Sequence, residues 1–206
     1  MTQIQIECQG LPCPQPVIKC KEAIEENMPD IISITVDNEA AKENVTRFLT
    51  TQGYDATVSN DGDYFVIKGA RGPESNGHCE VCQEMSEAEI AAVGQPKNLI
   101  FIASDVIGSG DDELGGKLMY NFLLTLKEMG KDLWRIVMVN GGVKLAVEDA
   151  PSLEVLKELE QSGVSILVCG TCLEHFGLTP KRGAGEVTNM LDIVTSFQLA
   201  TKTIRV

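Results

Sequence analysis

Residues 73–96 carry five acidic side chains and no Lys or Arg, and no apolar period runs through them. On either side, β-branched runs of strand length alternate with apolar stripes at helical spacing. This interruption constrains the fold most, because each flank must bury a core of its own. The expected organisation is a first domain over 1–72, an acidic linker over 73–96 and a second domain over 97–206. The chain is 43% hydrophobic, enough to fill two small aliphatic cores.

In the first block, Gln3 to Cys8 alternates polar and apolar residues as a half-buried strand does, and the breakers Gly10-Leu11-Pro12 follow. A helix is expected from Pro14, with Val17, Cys20 and Ile24 on its buried stripe and a stop at Met28-Pro29. Ile31 to Val36 reads as a strand, Asn38 as an N-cap, and Ala41, Val45, Phe48 and Leu49 as the apolar face of a second helix ending at Gly53. Tyr54–Ser59 and Tyr64–Lys68 are strands around a hairpin signal, Asn60-Asp61-Gly62-Asp63. The order β-α-β-α-β-β predicts a small two-layer α/β domain.

Gly69 to Gly77 is turn-rich, and Ser86 with Glu89 fits a capping box for a short helix. The second block opens on the apolar run Leu99–Ala103, typical of a strand covered on both faces. A helix with Leu114, Leu118, Phe122 and Leu126 on one stripe follows and ends near Gly130. Ile136–Val139 and Val164–Val168 are further buried strands, and Asn140-Gly141-Gly142 is a turn. Leu153, Leu156 and Leu159 mark one helix, Met190, Val194 and Phe197 another, and Thr203–Val206 a closing strand. The alternation predicts right-handed crossovers and a mostly parallel α/β sheet.

Charge narrows the function. The formal net charge is −13, and without a basic stripe a phosphate backbone would be repelled, so no nucleic-acid partner is expected. The opening Met1–Glu7 lacks the basic and apolar regions of a secretory signal, and no apolar run approaches the ~18 residues of a bilayer span. The expected compartment is the cytoplasm, with no membrane partner. The stretch Gly108 to Gly116 does not match a dinucleotide loop: Glu113 stands where the third glycine belongs, and Asp111, Asp112 and Glu113 would repel phosphate. Those acids suit the start of the following helix instead.

The seven cysteines carry the remaining information. Cys13 falls in Gly10-Leu11-Pro12-Cys13-Pro14-Gln15-Pro16, next to the N-cap of the first helix, where unpaired N–H groups and the helix dipole favour a thiolate. The flanking prolines add rigidity. On these grounds alone, a reactive Cys13 and a merely packed one stand side by side. Cys20 shares the apolar stripe, and Cys8 ends a strand, so both read as structural.

Leu11-x-Cys13-Pro14-x-Pro16 at a strand-to-helix junction resembles the TusA-like (SirA-like) sulfur carriers over about the first 70 residues. The resemblance implies that Cys13 takes sulfane sulfur from a cysteine desulfurase or another persulfide donor and holds it as a persulfide.

Cys169-Gly170-Thr171-Cys172 follows a buried strand, where open α/β sheets collect ligands and reactive groups. Three readings compete. The pair is a dithiol with Cys169 attacking and Cys172 resolving, half of a zinc site completed by Cys79 and Cys82 with His78 and His175 as substitutes, or a relay station for sulfur. The separation of the two pairs weakens zinc, since zinc ribbons place theirs ~15–20 residues apart. Cys79 and Cys82 read equally as a linker dithiol without a fixed role.

From Leu99 to Val206 the chain resembles DsrE-like proteins, by strand order, the Gly108–Gly115 stretch and a cysteine after the third buried strand. That likeness places the acceptor on Cys169, with Cys172 as an extra partner able to release the sulfur through a disulfide. The fusion is similar to YedF-type proteins named for selenium metabolism. Together these resemblances imply a sulfurtransferase-like carrier with a downstream sulfur acceptor protein as partner, a homo-oligomer, and no bound cofactor.

Overall fold

The structure is a computed structural model that describes residues 2–71 and 96–206. The capping box at Ser86 and Glu89, His78, the pair Cys79 and Cys82, and all of the expected linker except Pro96 lie outside the described residues. The chain divides into two compact units, each taken by itself below.

The N-terminal unit follows the expected order: β1 (Gln3–Glu7), α1 (Gln15–Asn27), β2 (Ile31–Val36), α2 (Glu39–Thr51), β3 (Tyr54–Asp61) and β4 (Tyr64–Arg71). Its sheet runs β1-β2-β4-β3, with β1 parallel to β2 and the remaining pairs antiparallel. Period-two alternation aims Ile32, Ile34 and Val36 at the helix layer, and Val17, Cys20, Val45 and Leu49 of the helices are likewise essentially buried. Each such aliphatic side chain contributes about 1.5–3 kcal/mol by leaving water.

Local signals fix the helix ends. Asn38 caps α2 by accepting the Ala41 N–H at 2.7 Å. Met28 closes α1 in the left-handed region, its N–H bonded to the Ile24 carbonyl. α1 begins one residue later than expected, because Pro14 takes the cap position and Pro16 lies in the first turn. The hairpin loop is Gly62-Asp63, with Gly62 at φ 62°. β4 runs on through Gly69, expected as a turn, to Arg71. A Cβ on Gly69 would stand 3.2 Å from each of Ile32, Leu49 and Tyr54, so its bare Cα lets α2 settle onto the sheet.

The C-terminal unit comprises β5 (Asn98–Ile102), α3 (Asp112–Thr125), β6 (Leu133–Met138), α4 (Leu153–Gln161), β7 (Ser165–Cys169), α5 (Gly170–His175), β8 (Glu186–Thr188), α6 (Met190–Leu199) and β9 (Lys202–Arg205). Its sheet order is β8-β7-β6-β5-β9, with every pairing parallel. α6 lays Ile193 on Leu99, Val137 and Leu167. The alternate residues Ile100, Ile136 and Ile166 are buried on the opposite face, where right-handed crossovers place α3 and α4. The acids before α3 act as expected at a helix start, Asp111 accepting the Leu114 N–H at 2.7 Å.

Two helix stripes differ from expectation. Leu114 and Leu118 are exposed at 55% and 44%, and the residues of α3 that enter the core are Gly115, Met119 and Leu123. α3 itself stops at Thr125, and a 3-10 segment continues to Asp132 through Gly130 at φ 54°. On α6, Met190 and Val194 face outward and Ile193 and Ser196 are buried, while Phe197, partly exposed, sets its ring edge-on to Phe101. Both helices carry apolar side chains on more than one face, so spacing alone does not choose the buried one.

Candidate functional site

Three cysteines of the N-terminal unit lie at the carboxyl end of the β1/β2 pair. The Cys8 N–H donates to the Thr35 carbonyl at 2.9 Å and prolongs the parallel pairing by a residue. The chain then turns outward. Gly10, at φ 70°, donates its N–H to the Asp37 carboxylate, and Leu11 donates back to the Cys8 carbonyl at 3.3 Å. Gln15 N–H closes onto the Pro12 carbonyl at 2.9 Å, and Val17 and Ile18 donate to the Pro14 carbonyl at 3.0 and 3.1 Å. Cys13 is thus presented exposed on a loop anchored at both ends, joined to Pro14 by a cis peptide bond.

Cys8 and Cys20 have the opposite setting. Both are fully buried, and burial pushes the Cys8 thiol up. The Cys20 thiol is pushed up to about 12, first by burial and then by the proximity of Cys8. They pack as small apolar side chains, in agreement with the structural reading of the sequence.

In the C-terminal unit, Cys169 ends β7 and caps α5, while Cys172 lies one turn later on α5. The sheet brings the two to its carboxyl end, yet their exposures differ. Cys169 is only 5% exposed, whereas Cys172 is partly open. The Cys172 sulfur accepts the backbone N–H of Asn140 at 3.1 Å. Asn140 holds φ 48°, a conformation that Asn tolerates better than most residues. Gly142 is obligatory beside it, since a Cβ there would come within 2.5 Å of the Ile102 carbonyl oxygen.

Next to this turn stand two side chains that sequence reasoning did not single out. Asp105 follows β5, and Lys144 follows the glycine turn, with 3.3 Å between ammonium and carboxylate. Lys144 also lies 5.2 Å from the centre of the Phe176 ring. The available signal was Asn140-Gly141-Gly142 directly after a buried strand, a place where parallel sheets put their working loops. His175 is exposed at the end of α5, edge-on to Phe176.

Among the described residues there is no group of three or more His, Cys, Asp or Glu able to hold a metal ion. Also among them, no helix is long and apolar enough to cross a membrane.

An exposed thiol thus stands on an anchored strand-to-helix loop in one unit, and a thiol pair at the carboxyl end of a parallel sheet in the other. The sulfurtransferase TusA family model matches residues 4–69, and the DsrE/DsrF-like family model matches residues 102–203. The chain therefore joins a TusA domain to a DsrE-like domain, and both families belong to sulfur-relay, sulfurtransferase-like systems.

No curated protein matches the chain. Among solved structures, it is similar to a SirA-like protein from Desulfitobacterium hafniense at 25% identity, covering 33% of this chain and 96% of that one, with a TM-score of 0.31. It is also similar to the ychN protein of E. coli at 16% identity, covering 54% of this chain and 99% of that one, with a TM-score of 0.44. A third likeness is to a protein of unknown function from Methanobacterium thermoautotrophicum, at 19% identity over 54% of this chain and 99% of that one, with a TM-score of 0.42.

Proposed function

We propose that this chain carries sulfane sulfur as a persulfide on Cys13 and relays it to the thiol pair of the C-terminal domain. The observation that carries the reading is the contrast within one TusA domain: Cys13 is exposed on an anchored loop, while Cys8 and Cys20 are sealed in the core. The Cys13 thiolate attacks the outer sulfur of a donor persulfide, R–S–SH. A new Cys13 S–S bond forms, the donor S–S bond breaks, and R–S⁻ leaves. The donor is a cysteine desulfurase or another protein persulfide.

The second transfer repeats this exchange on the C-terminal domain. Burial supports Cys172 as the receiving thiol and Cys169 as the thiol behind it, the reverse of the order expected from the sequence. Cys172 passes its outer sulfur to an acceptor protein. Alternatively, Cys169 attacks the inner sulfur, forming a Cys169–Cys172 disulfide and releasing HS⁻; an external dithiol then restores the pair. The chemistry needs no bound cofactor, and selenium would follow the same steps. The reading includes a cytoplasmic setting and a homo-oligomer, the latter supported by the outward apolar residues Met190 and Val194 of α6.

Intact mass spectrometry after incubation with a cysteine desulfurase and cysteine tests this. One added sulfur, lost on reduction, mapped to Cys13 and absent in Cys13→Ser, is expected. Loading that persists in Cys13→Ser overturns the reading.

A further inference from the structure

The C-terminal domain contains a pocket of about 440 Å³ that the relay does not use. One wall comes from α3, through Gly116 and Tyr120, and the other from the segment after β6, through Leu145, Val147, Ala150 and Pro151. Its volume lies in the range of small-molecule sites, about 300–1,000 Å³. The walls are mainly aliphatic.

Three charged groups belong to the lining: Asp105, Lys144 and Asp149. Lys144 is paired with Asp105, and among the described residues Asp149 has no cationic partner. The lining thus keeps one uncompensated negative charge, on a chain whose net charge is already −13. An anionic ligand is disfavoured there and an ammonium group is favoured.

The pocket shares the Asp105 wall with the turn that approaches Cys172. Asp105 forms part of its lining, and the Asp105 Oδ1 stands 3.1 Å from where a Cβ on Gly141 would be. Gly141 directly follows Asn140, whose N–H reaches the Cys172 sulfur.

From this juxtaposition we propose that the pocket binds short aliphatic thiols bearing a protonated amine, and their persulfides and disulfides, for exchange with Cys172. The assignment rests on Cys172 being the accessible thiol of the pair in the relay proposed above. With a persulfide R–S–SH, the Cys172 thiolate forms an S–S bond to the outer sulfur and R–S⁻ leaves. With a symmetrical disulfide R–S–S–R, it forms Cys172–S–S–R and one R–S⁻ leaves. Both steps balance without an external oxidant or reductant.

Exchange with cystamine, an amine-bearing disulfide, and with 3,3′-dithiodipropionate, its carboxylate-bearing counterpart, tests the site on the full chain. A Cys169→Ser background prevents resolution, and each mixed disulfide is mapped to its cysteine. Cys13 serves as an internal reference, because it experiences the same overall charge in a separate domain. The preference for cystamine is expected to be at least tenfold larger at Cys172 than at Cys13. Asp149→Asn should bring it down toward the Cys13 value. So should Gly116→Leu, which fills the pocket from a position where an added Cβ meets nothing within 4 Å.

Equal preferences at the two cysteines, or an excess at Cys172 that survives both Asp149→Asn and Gly116→Leu, overturn the proposal. Should Gly116→Leu fail to fold, Asp149→Asn alone decides. Sulfur loading of Cys13 by a desulfurase is measured separately, so loss of the pocket assignment leaves the carrier reading standing.

Discussion

The backbone N–H of Asn140 points at the Cys172 sulfur from 3.1 Å, across the gap between the turn that follows β6 and helix α5. A fixed backbone donor stabilises negative charge as it develops on a departing sulfur. Gly142 controls where that donor sits, because any side chain there meets the Ile102 carbonyl.

Gly142→Ala must therefore displace the turn. The expected cost is about 1–3 kcal/mol of stability. Discharge of sulfane sulfur from Cys172 to an added thiol should slow roughly tenfold, the equivalent of one hydrogen bond to a charged group. Denaturant melts and stopped-flow discharge rates check the two effects, and an unchanged discharge rate would show that the donor does not assist the leaving sulfur.

Alkylation at pH 8 should follow exposure. Cys13 is expected to react first and Cys172 next, with Cys8, Cys20 and Cys169 modified only after denaturant is added. Peptide mapping of an iodoacetamide time course reads this directly. Native-state labelling of Cys20 on the time scale of Cys13 would contradict the closed core between α1 and β2.

The raised Cys20 thiol sets an alkaline limit on the N-terminal domain. Its folded value, about 12, lies above the ordinary thiol value of 9.0, so the folded state keeps the proton that the unfolded chain gives up. The resulting stability is complete below pH 9 and is lost as pH rises from 9 toward 12, by up to about 1.4 kcal/mol per pH unit. Cys8 adds in the same direction. Cys20→Ala should flatten this slope while lowering stability at neutral pH through the void it leaves. Melts of the full chain at several pH values, followed through the N-terminal transition, decide the point; a slope unaltered by Cys20→Ala would refute it.

The apolar outer face of α6 predicts self-association. Light scattering of the full chain should give a multiple of the 22.3 kDa chain mass, and Val194→Asp should shift it toward a single chain. Val194 is 46% exposed, so the substitution spares the core while placing a charge on that face. A monomeric mass for the unaltered chain would remove the homo-oligomer from the functional reading.

Most of the N-terminal domain was legible in the sequence, because its signals are local and agree with one another. Asn38 caps, Met28-Pro29 stops, Gly62 turns, and Val17, Cys20 and Ile24 form the only buried stripe that α1 could offer. The C-terminal strands were legible as continuous apolar runs. Their helices were less so: α3 carries Leu114 and Leu118 beside Met119 and Leu123, and only the position of the helix over the sheet selects the second set. The three-residue β8 is too short to leave a period.

The thiols divide in the same way. Cys13 announced itself through its prolines, a feature of contiguous residues. The unequal exposure of Cys169 and Cys172, and the approach of Asn140, Asp105 and Lys144, arise where three strand ends converge, and no contiguous stretch records that.

The burial of Cys8 and Cys20 has one more consequence for the persulfide proposed on Cys13. A group attached there cannot migrate to a neighbouring cysteine of the same domain unless the helix layer lifts off the sheet. Its residence is then governed by encounters with outside nucleophiles, and the domain behaves as a sealed flask with a single spout.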